Sequence, residues 1–181
     1  MSLETDSYAL PEGVWHKTLS KESLLELWDR VKGFDRLFSD STRGDPTSFW
    51  KNLLSDCIVL ETEGGILTLR NIQEHLSGEA HLIFWDCKLS PKTELVRECL
   101  VWAFTTFDLQ RIGTSIPVYA KALRRFLTDR LGFQIEGRLR NNAFFDGVLI
   151  DTLILSILRE EILKWGKHGK DQHRNWVPQA M

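Results

Sequence analysis

The order of predicted elements along this chain of 181 residues indicates a mixed α/β fold, in which a central and mostly antiparallel sheet is flanked by helices. Three observations predict it. Two stretches with helical spacing of apolar residues come first, strand-like segments begin at Cys57, and strands and helices then alternate. A helix that connects two adjacent strands near the middle of the chain requires one parallel strand pair.

Two short helices are expected before any long strand. A strand-like piece at 14–19 is followed by Ser20, a residue type that caps helices, and then by apolar residues at helical spacing up to Val31. Asp45 and Pro46 fit the N-cap and the first position of a second helix.

From Cys57 the apolar residues recur with the period of two that is typical of strands. The segments 58–60 and 66–69 flank a Gly-Gly pair, a spacing that predicts a β-hairpin with a tight turn. A third strand is expected at 80–85, and a helix follows it after a Ser-Pro pair.

The second half of the chain predicts a strand, a helix and a final pair of strands. A strand at 111–118 precedes an amphipathic helix at 120–131, which Gly132 ends. Two more strands are expected at 133–140 and 148–159. The last strand is the most apolar, which predicts a central position in the sheet.

The length of the chain predicts a single domain, at roughly 150 residues per domain. We expect this domain to span 1–163. The segment 164–181 lacks periodicity and is expected to form a mobile C-terminal tail.

Composition excludes several classes of protein. With 23 Lys and Arg against 25 Asp and Glu, the net charge is −2, so nucleic acid and anionic membranes are not expected partners. No apolar run is long enough to span a membrane and residues 1–11 do not resemble a basic apolar leader, so we expect neither a membrane span nor secretion. The three cysteines, Cys57, Cys87 and Cys99, are odd in number and lack C-x-x-C spacing, so we expect a reducing, cytoplasmic location. The spacing of His168 and His173 does not predict a metal site.

The stretch 131–140 reads LGFQIEGRLR and resembles the GNAT superfamily of acyl-CoA N-acyltransferases, where a helix ends in "lGF" and a strand continues with "xxEGxxR". Gly147, Asp151 and the segment 158–160 resemble the "G-x-x-x-D" and terminal-strand motifs of the ribosomal-protein N-terminal acetyltransferase branch. The resemblance covers roughly residues 15–161.

Three further segments carry the resemblance. The Thr93-Glu94 pair, followed by Phe104, is similar to the "TEA…F" helix of that branch. The segments 81–84 and 116–118 are similar to the "H-x-x-F" and "I-P-V" strands of some phage-encoded members.

The resemblance implies a GNAT fold and an N-acetyltransferase that moves an acyl group, most simply acetyl, from acyl-CoA to an amine by direct attack. Acetyl-CoA is then the cosubstrate, no metal is needed, and the acceptor is a protein N-terminus or a small molecule. Family members open the sheet beside the strand 80–85, where backbone groups bind pantetheine, and hold the diphosphate at the next helix N-terminus. The residues implied are Phe84, Trp85, Lys88, Ser90, Pro91, Lys92 and Thr93.

This chain departs from the family pattern at two places. Lys88 and Ser90 stand where the family has glycines, so we expect Lys88 and Lys92 to supply charge in place of close backbone approach. An ordinary helix start without a ligand is the alternative. Thr128 stands where the family often has a tyrosine that protonates the thiolate, and Thr128 or Tyr119 is the expected donor.

The expected base is His81 or Glu79, because imidazole and carboxylate groups can take the proton of the amine. The departures leave a second interpretation: a noncatalytic GNAT-fold protein that serves as a binding or assembly module. Trp15, Trp165 and Trp176 fit either an acceptor groove or a homodimer contact.

Overall fold

The computed structural model describes residues 9–34, 40, 44–53, 57–86, 89 and 92–168. In this part of the chain seven strands form one sheet in the order β1-β2-β3-β4-β5-β7-β6. The strands are β1 Trp15–His16, β2 Cys57–Thr62, β3 Gly65–Gln73, β4 Ser77–Phe84, β5 Arg111–Pro117, β6 Gln134–Phe145 and β7 Val148–Leu158. The helices are α1 Lys21–Val31, α2 Pro46–Leu53, α3 Thr93–Thr106, α4 Lys121–Arg125 with a π-helical turn Phe126–Arg130, and α5 Arg159–His168.

The predicted fold class is confirmed. The β4–β5 pair is parallel, and the other strand pairs of this sheet are antiparallel. Helix α3 makes the crossover between β4 and β5, as the order of elements requires.

Local signals place the helix ends. The Ser20 hydroxyl accepts the backbone N–H of Ser23, and the Asp45 carboxylate accepts the N–H of Thr47 at 2.9 Å. Gly132 ends the predicted helix with a φ of +75°, a conformation that glycine adopts without strain. That helix is α-helical only as far as Arg125 and then widens into the π-helical turn.

Apolar side chains pack on both faces of the sheet. On one face Ala80 of β4 joins the core formed with Val96 and Leu100 of α3. On the other face Ile83 packs with Leu27 of α1. Because side chains alternate along a strand, residues 79, 81 and 83 share the α1 face, and residues 80, 82 and 84 share the α3 face.

Two details differ from the sequence predictions. Strand β7 was predicted to be central but is second from the sheet edge. It is apolar because Leu155 and Ile157 are buried against the core. Helix α5 continues across the predicted start of the tail at 164, and residues 169–181 lie outside the described part.

No helix in the described residues is both long and apolar enough to cross a membrane.

Candidate active site

Strands β4 and β5 separate soon after they start. They pair in parallel from Ser77 and Arg111 to Glu79 and Gly113. Beyond this point β4 continues to Phe84 with β3 alone, and β5 continues to Pro117 with β7 alone. The sheet therefore opens between the two strands, and the facing backbone edges lie free of each other, as the family resemblance implied.

A small apolar cavity lies behind this opening on the α3 face. Its volume is about 20 Å³, which is enough for about one water molecule. A longer ligand therefore has room only in the gap between β4 and β5. Thr114 contributes a hydroxyl to an otherwise apolar lining. The lining residues are Ala80, Leu82, Val96, Leu100, Thr114, Leu123, Leu127, Leu131 and Phe133.

The α1 face of the same opening is polar. The guanidinium Nε of Arg70 donates to Oε2 of Glu79 at 3.1 Å, and Nε2 of His81 lies 3.9 Å from that oxygen. Thr68 faces His81 across the β3–β4 pair. The Oγ1 atom of Thr68 and Nε2 of His81 are buried with no hydrogen-bond partner among the residues that the structure describes.

The two predicted base candidates have different protonation behaviour. Burial, followed by the charge of Arg70, lowers the pKa of His81 to about 4, so its imidazole is neutral near pH 7. Burial raises the pKa of Glu79, but a hydrogen bond from Asn71 and the charge of Arg70 outweigh it and leave that pKa below its usual value. Glu79 is therefore a carboxylate, and it is the charged member of the pair.

The two predicted proton donors lie on different sides of the sheet. Thr128 is in the π-helical turn next to Leu127, which lines the cavity, and its hydroxyl lies 3.1 Å from the Arg124 carbonyl and 2.6 Å from Asp129 Oδ1. Tyr119 follows β5, and its ring lies 4.6 Å from that of Phe145. Thr128 therefore belongs to an element on the α3 side of the sheet, whereas Glu79 and His81 lie on the α1 face.

Four of the predicted donor-binding residues, Phe84, Trp85, Lys92 and Thr93, are described, and they lie at the end of β4 and the start of α3. Phe84 ends the strand, and the N–H of Trp85 donates to the Gly64 carbonyl at 3.1 Å. The ammonium of Lys92 lies 2.9 Å from Asp86 Oδ2 and 5.3 Å from the centre of the Phe84 ring, and Thr93 begins α3. Lys88, Ser90 and Pro91 lie outside the described residues.

The β2–β3 turn approaches this junction so closely that side chains are excluded from it. A Cβ atom at Gly64 would lie 2.4 Å from Lys92 Nζ, and one at Gly65 would lie 2.2 Å from the Phe84 ring. The sequence predicted the turn but not this contact. Arg70 was also missed as a site residue, because its pairing with Glu79 depends on strand register.

No protein-family model matches the sequence, and no curated protein is significantly similar to it. Solved structures do match. A probable acetyltransferase is 19% identical with a TM-score of 0.62, and the match covers 86% of this chain and 98% of that chain. The chain has the GNAT acyltransferase fold.

Two other structures with the GNAT fold are similar to this chain. The spermidine N-acetyltransferase of Vibrio cholerae, in complex with CoA and spermine, is 19% identical with a TM-score of 0.60, covering 84% of this chain and 99% of its own. RimJ of Mycobacterium smegmatis, in complex with CoA-disulfide, is 19% identical with a TM-score of 0.63, covering 87% and 90%. The resemblance seen in the sequence is confirmed at the level of the fold. Among the described residues no cluster of His, Cys, Asp or Glu side chains would hold a metal ion.

Proposed function

We propose that this protein is an acyl-CoA-dependent N-acyltransferase, most simply an acetyltransferase, that acts on an amine. The separation of β4 from β5 beyond Glu79 and Gly113 is the observation that supports this proposal most directly. The pantetheine arm of CoA carries amide groups, and it can pair with the free edge of β4 as an added strand would. Apolar side chains such as Leu82 lie beside it.

The N-terminus of α3 is the proposed site for the diphosphate. The first turn of a helix presents N–H groups without intrahelical partners, and the helix dipole favours an anion there. The side chain of Lys92, the N-cap residue of α3, makes no capping hydrogen bond. Because Lys92 pairs with Asp86, we assign Lys92 to holding the β4–α3 junction, and the backbone of Thr93 and its neighbours to contacting phosphate oxygens.

The acceptor amine approaches from the α1 face. Its nitrogen attacks the thioester carbonyl carbon, a C–N bond forms, and the C–S bond breaks to release a thiolate. Glu79 is the proposed base, because its carboxylate attracts an ammonium and takes the proton that the amine loses. The neutral imidazole of His81 packs beside Glu79 and is assigned to orienting it.

Thr128 is the proposed donor to the thiolate. It lies on the cavity side of the sheet, and its hydroxyl, once rotated away from Arg124 and Asp129, passes its proton to the sulfur while it takes a replacement proton from solvent, so that no alkoxide is left. Tyr119, the alternative donor, lies with its ring against that of Phe145.

Calorimetric titration with acetyl-CoA tests the donor half of the proposal. We expect saturable binding and a higher Tm, since a ligand at a hundred times its Kd stabilises a protein by about 2.7 kcal/mol. Release of free thiol in the presence of spermidine, or of a peptide with a free N-terminus, then tests transfer. An absence of binding at millimolar acetyl-CoA would favour the noncatalytic binding module instead.

A further inference from the structure

Strand β3 carries a β-bulge next to Glu79. The β3–β4 pairing is regular as far as Arg70 and Glu79, and then it shifts by one residue. Asn71 and Ile72 of β3 therefore stand in a stretch where β4 has the single residue Gly78. Bulges of this kind change the direction of a side chain and are frequent beside active sites.

The bulge places two consecutive side chains on one face of the sheet. In a regular strand Arg70 and Ile72 would share a face, because side chains alternate. Here Ile72 packs against the core on the α3 face, whereas Arg70 pairs with Glu79 on the α1 face. Asn71 has a φ of 50°, in the left-handed region that asparagine tolerates, and its side chain is hydrogen-bonded to Glu79. Arg70 and Asn71 thus both reach the same carboxylate.

The two donors to Glu79 differ in charge. Nε of Arg70 donates to Oε2 at 3.1 Å, and the side-chain amide of Asn71 donates a second hydrogen bond. The guanidinium favours the ionised carboxylate through its charge, whereas the amide adds a directional contact and no charge. A second cation at this position would repel an ammonium group that approaches Glu79, so a neutral donor orients the carboxylate without repelling the acceptor.

Charged and titratable groups surround Glu79 on three strands. They are Arg70 of β3, His81 of β4, and Arg111 of β5, which lies over Gly113 and is paired with Glu136. The side chain of Glu79 is 41% exposed, so a proton that it takes from an amine can pass on to water. Glu79 also belongs to the last residue pair before β4 leaves β5.

We propose that Asn71 is a positioning residue for the base, and that its amide fixes the Glu79 carboxylate at the point where β4 leaves β5. The inference rests on the proposed function, in which Glu79 takes the proton of the attacking amine. A carboxylate held by two donors presents its remaining lone pairs to the amine in one orientation. Proton transfer in the transition state depends on such an orientation.

Asn71→Gly is the principal variant. Glycine adopts the φ of Asn71 without strain, so this change removes the amide and keeps the bulge. Asn141→Gly is the matched control, because Asn141 has a φ of 52° and lies where the β6–β7 pairing is irregular. Any effect of greater flexibility in the unfolded chain appears in both glycine variants. A second variant, Asn71→Asp, keeps the size of the side chain and replaces the donor with another carboxylate.

Turnover is measured as thiol release from acetyl-CoA, with spermidine and with a peptide that has a free N-terminal alanine. We expect Asn71→Gly to lower kcat about tenfold at pH 7, the effect of losing a hydrogen bond to a charged group, and to leave the Kd for acetyl-CoA unchanged. Asn71→Asp should lower kcat at least as much, and Asn141→Gly should match wild type. In a Glu79→Gln background Asn71→Gly should have no further effect, since the carboxylate that the amide orients is gone.

The pH profile separates positioning from a merely structural role. Asn71→Gly removes a hydrogen bond to the carboxylate form, so the pKa of Glu79 should rise, by about one pH unit or less. The ratio of kcat/KM in Asn71→Gly to that in wild type should therefore fall further as the pH decreases from 7 to 4.5. This ratio cancels the ionisation of the acceptor amine, which both proteins share. A ¹³C NMR titration of the Glu79 carboxyl, assigned with Glu79→Gln, should show the same rise without any acceptor.

A kcat for Asn71→Gly equal to that of wild type, or a loss that Asn141→Gly shares, would overturn the inference and leave the proposed function standing. So would a pKa of Glu79 that stays the same in the NMR titration, or a full additional loss in the Glu79→Gln background. A wild-type chain that binds no acetyl-CoA would overturn the proposed function, and this inference with it.

Discussion

Nε2 of His81 and Oε2 of Glu79 lie 3.9 Å apart on one face of β4, and the same Glu79 oxygen accepts a hydrogen bond from Arg70. Two residues that the sequence offered as alternative bases are thus neighbours with unequal charge. The imidazole is neutral near pH 7 because its pKa is about 4, and the carboxylate is ionised. Because the two groups differ in charge, substitutions can separate their roles.

Glu79→Gln should lower kcat by roughly 10²- to 10⁴-fold, the usual contribution of a positioned general base. Between pH 5 and 8, the kcat/KM profile of His81→Gln should have the same shape as that of the wild type. A group with a pKa of about 4 does not titrate in that range, so its removal leaves the acid limb unchanged. Both profiles are measured with saturating acetyl-CoA. A wild-type acid limb near pH 6 that His81→Gln abolishes would return the role of base to His81.

His81 should also make folding stability depend on pH. Its pKa is about 4 in the folded protein, against 6.5 for an unperturbed histidine, so the unfolded chain binds more protons in between. Above pH 6.5 the free energy of unfolding contains the full contribution of the neutral imidazole. As the pH falls from 6.5 towards 4, the free energy of unfolding decreases by about 3 kcal/mol in total. Urea unfolding at pH 7 and pH 4.5 should show a smaller difference for His81→Gln than for wild type. An identical difference in both proteins would mean that the imidazole is not held neutral.

Thr128→Val should depress kcat by about 10²-fold or more and leave the Kd for acetyl-CoA nearly unchanged, because the variant removes the proton donor and keeps the shape. Thr105→Val is the matched control. The hydroxyl of Thr105 donates to the Val101 carbonyl at 2.8 Å, the same kind of helical hydrogen bond, on α3. Normal turnover in Thr128→Val would move the donor role to Tyr119 or to water.

Gly65→Ala should destabilise the protein by about 1–3 kcal/mol, the usual range for an overpacked site. Its Cβ would lie 2.2 Å from the Phe84 ring and 2.5 Å from the Ile83 carbonyl, so the end of β4 must shift. Gly137→Ala is the control and should change stability little, because no atom of the described residues lies within 4 Å of the position that its methyl group would occupy on β6. Urea denaturation of both variants measures the difference. Equal stabilities would show that the turn yields without cost.

Local signals specify most of the fold. Ser20, Asp45 and Gly132 mark helix ends in the structure where their residue types predicted them, because a cap or a left-handed turn involves groups only a few residues apart. The motif around Gly132 pointed to the GNAT fold, and the structural matches confirm it. The roles of Glu79, His81, Thr128 and Tyr119 stay predictions.

By itself the sequence determined the fold class, the order of the elements as far as β7, the helix ends at Ser20, Asp45 and Gly132, and the candidate chemical groups, since periodicity and capping depend on neighbouring residues. Tertiary structure alone decided where β4 leaves β5, which arginine meets Glu79, and that Asp40 holds the turn at Gly147. Those relations join residues from 9 to 107 positions apart. They depend on strand register and on the path of the backbone, and no local pattern of residue types specifies either.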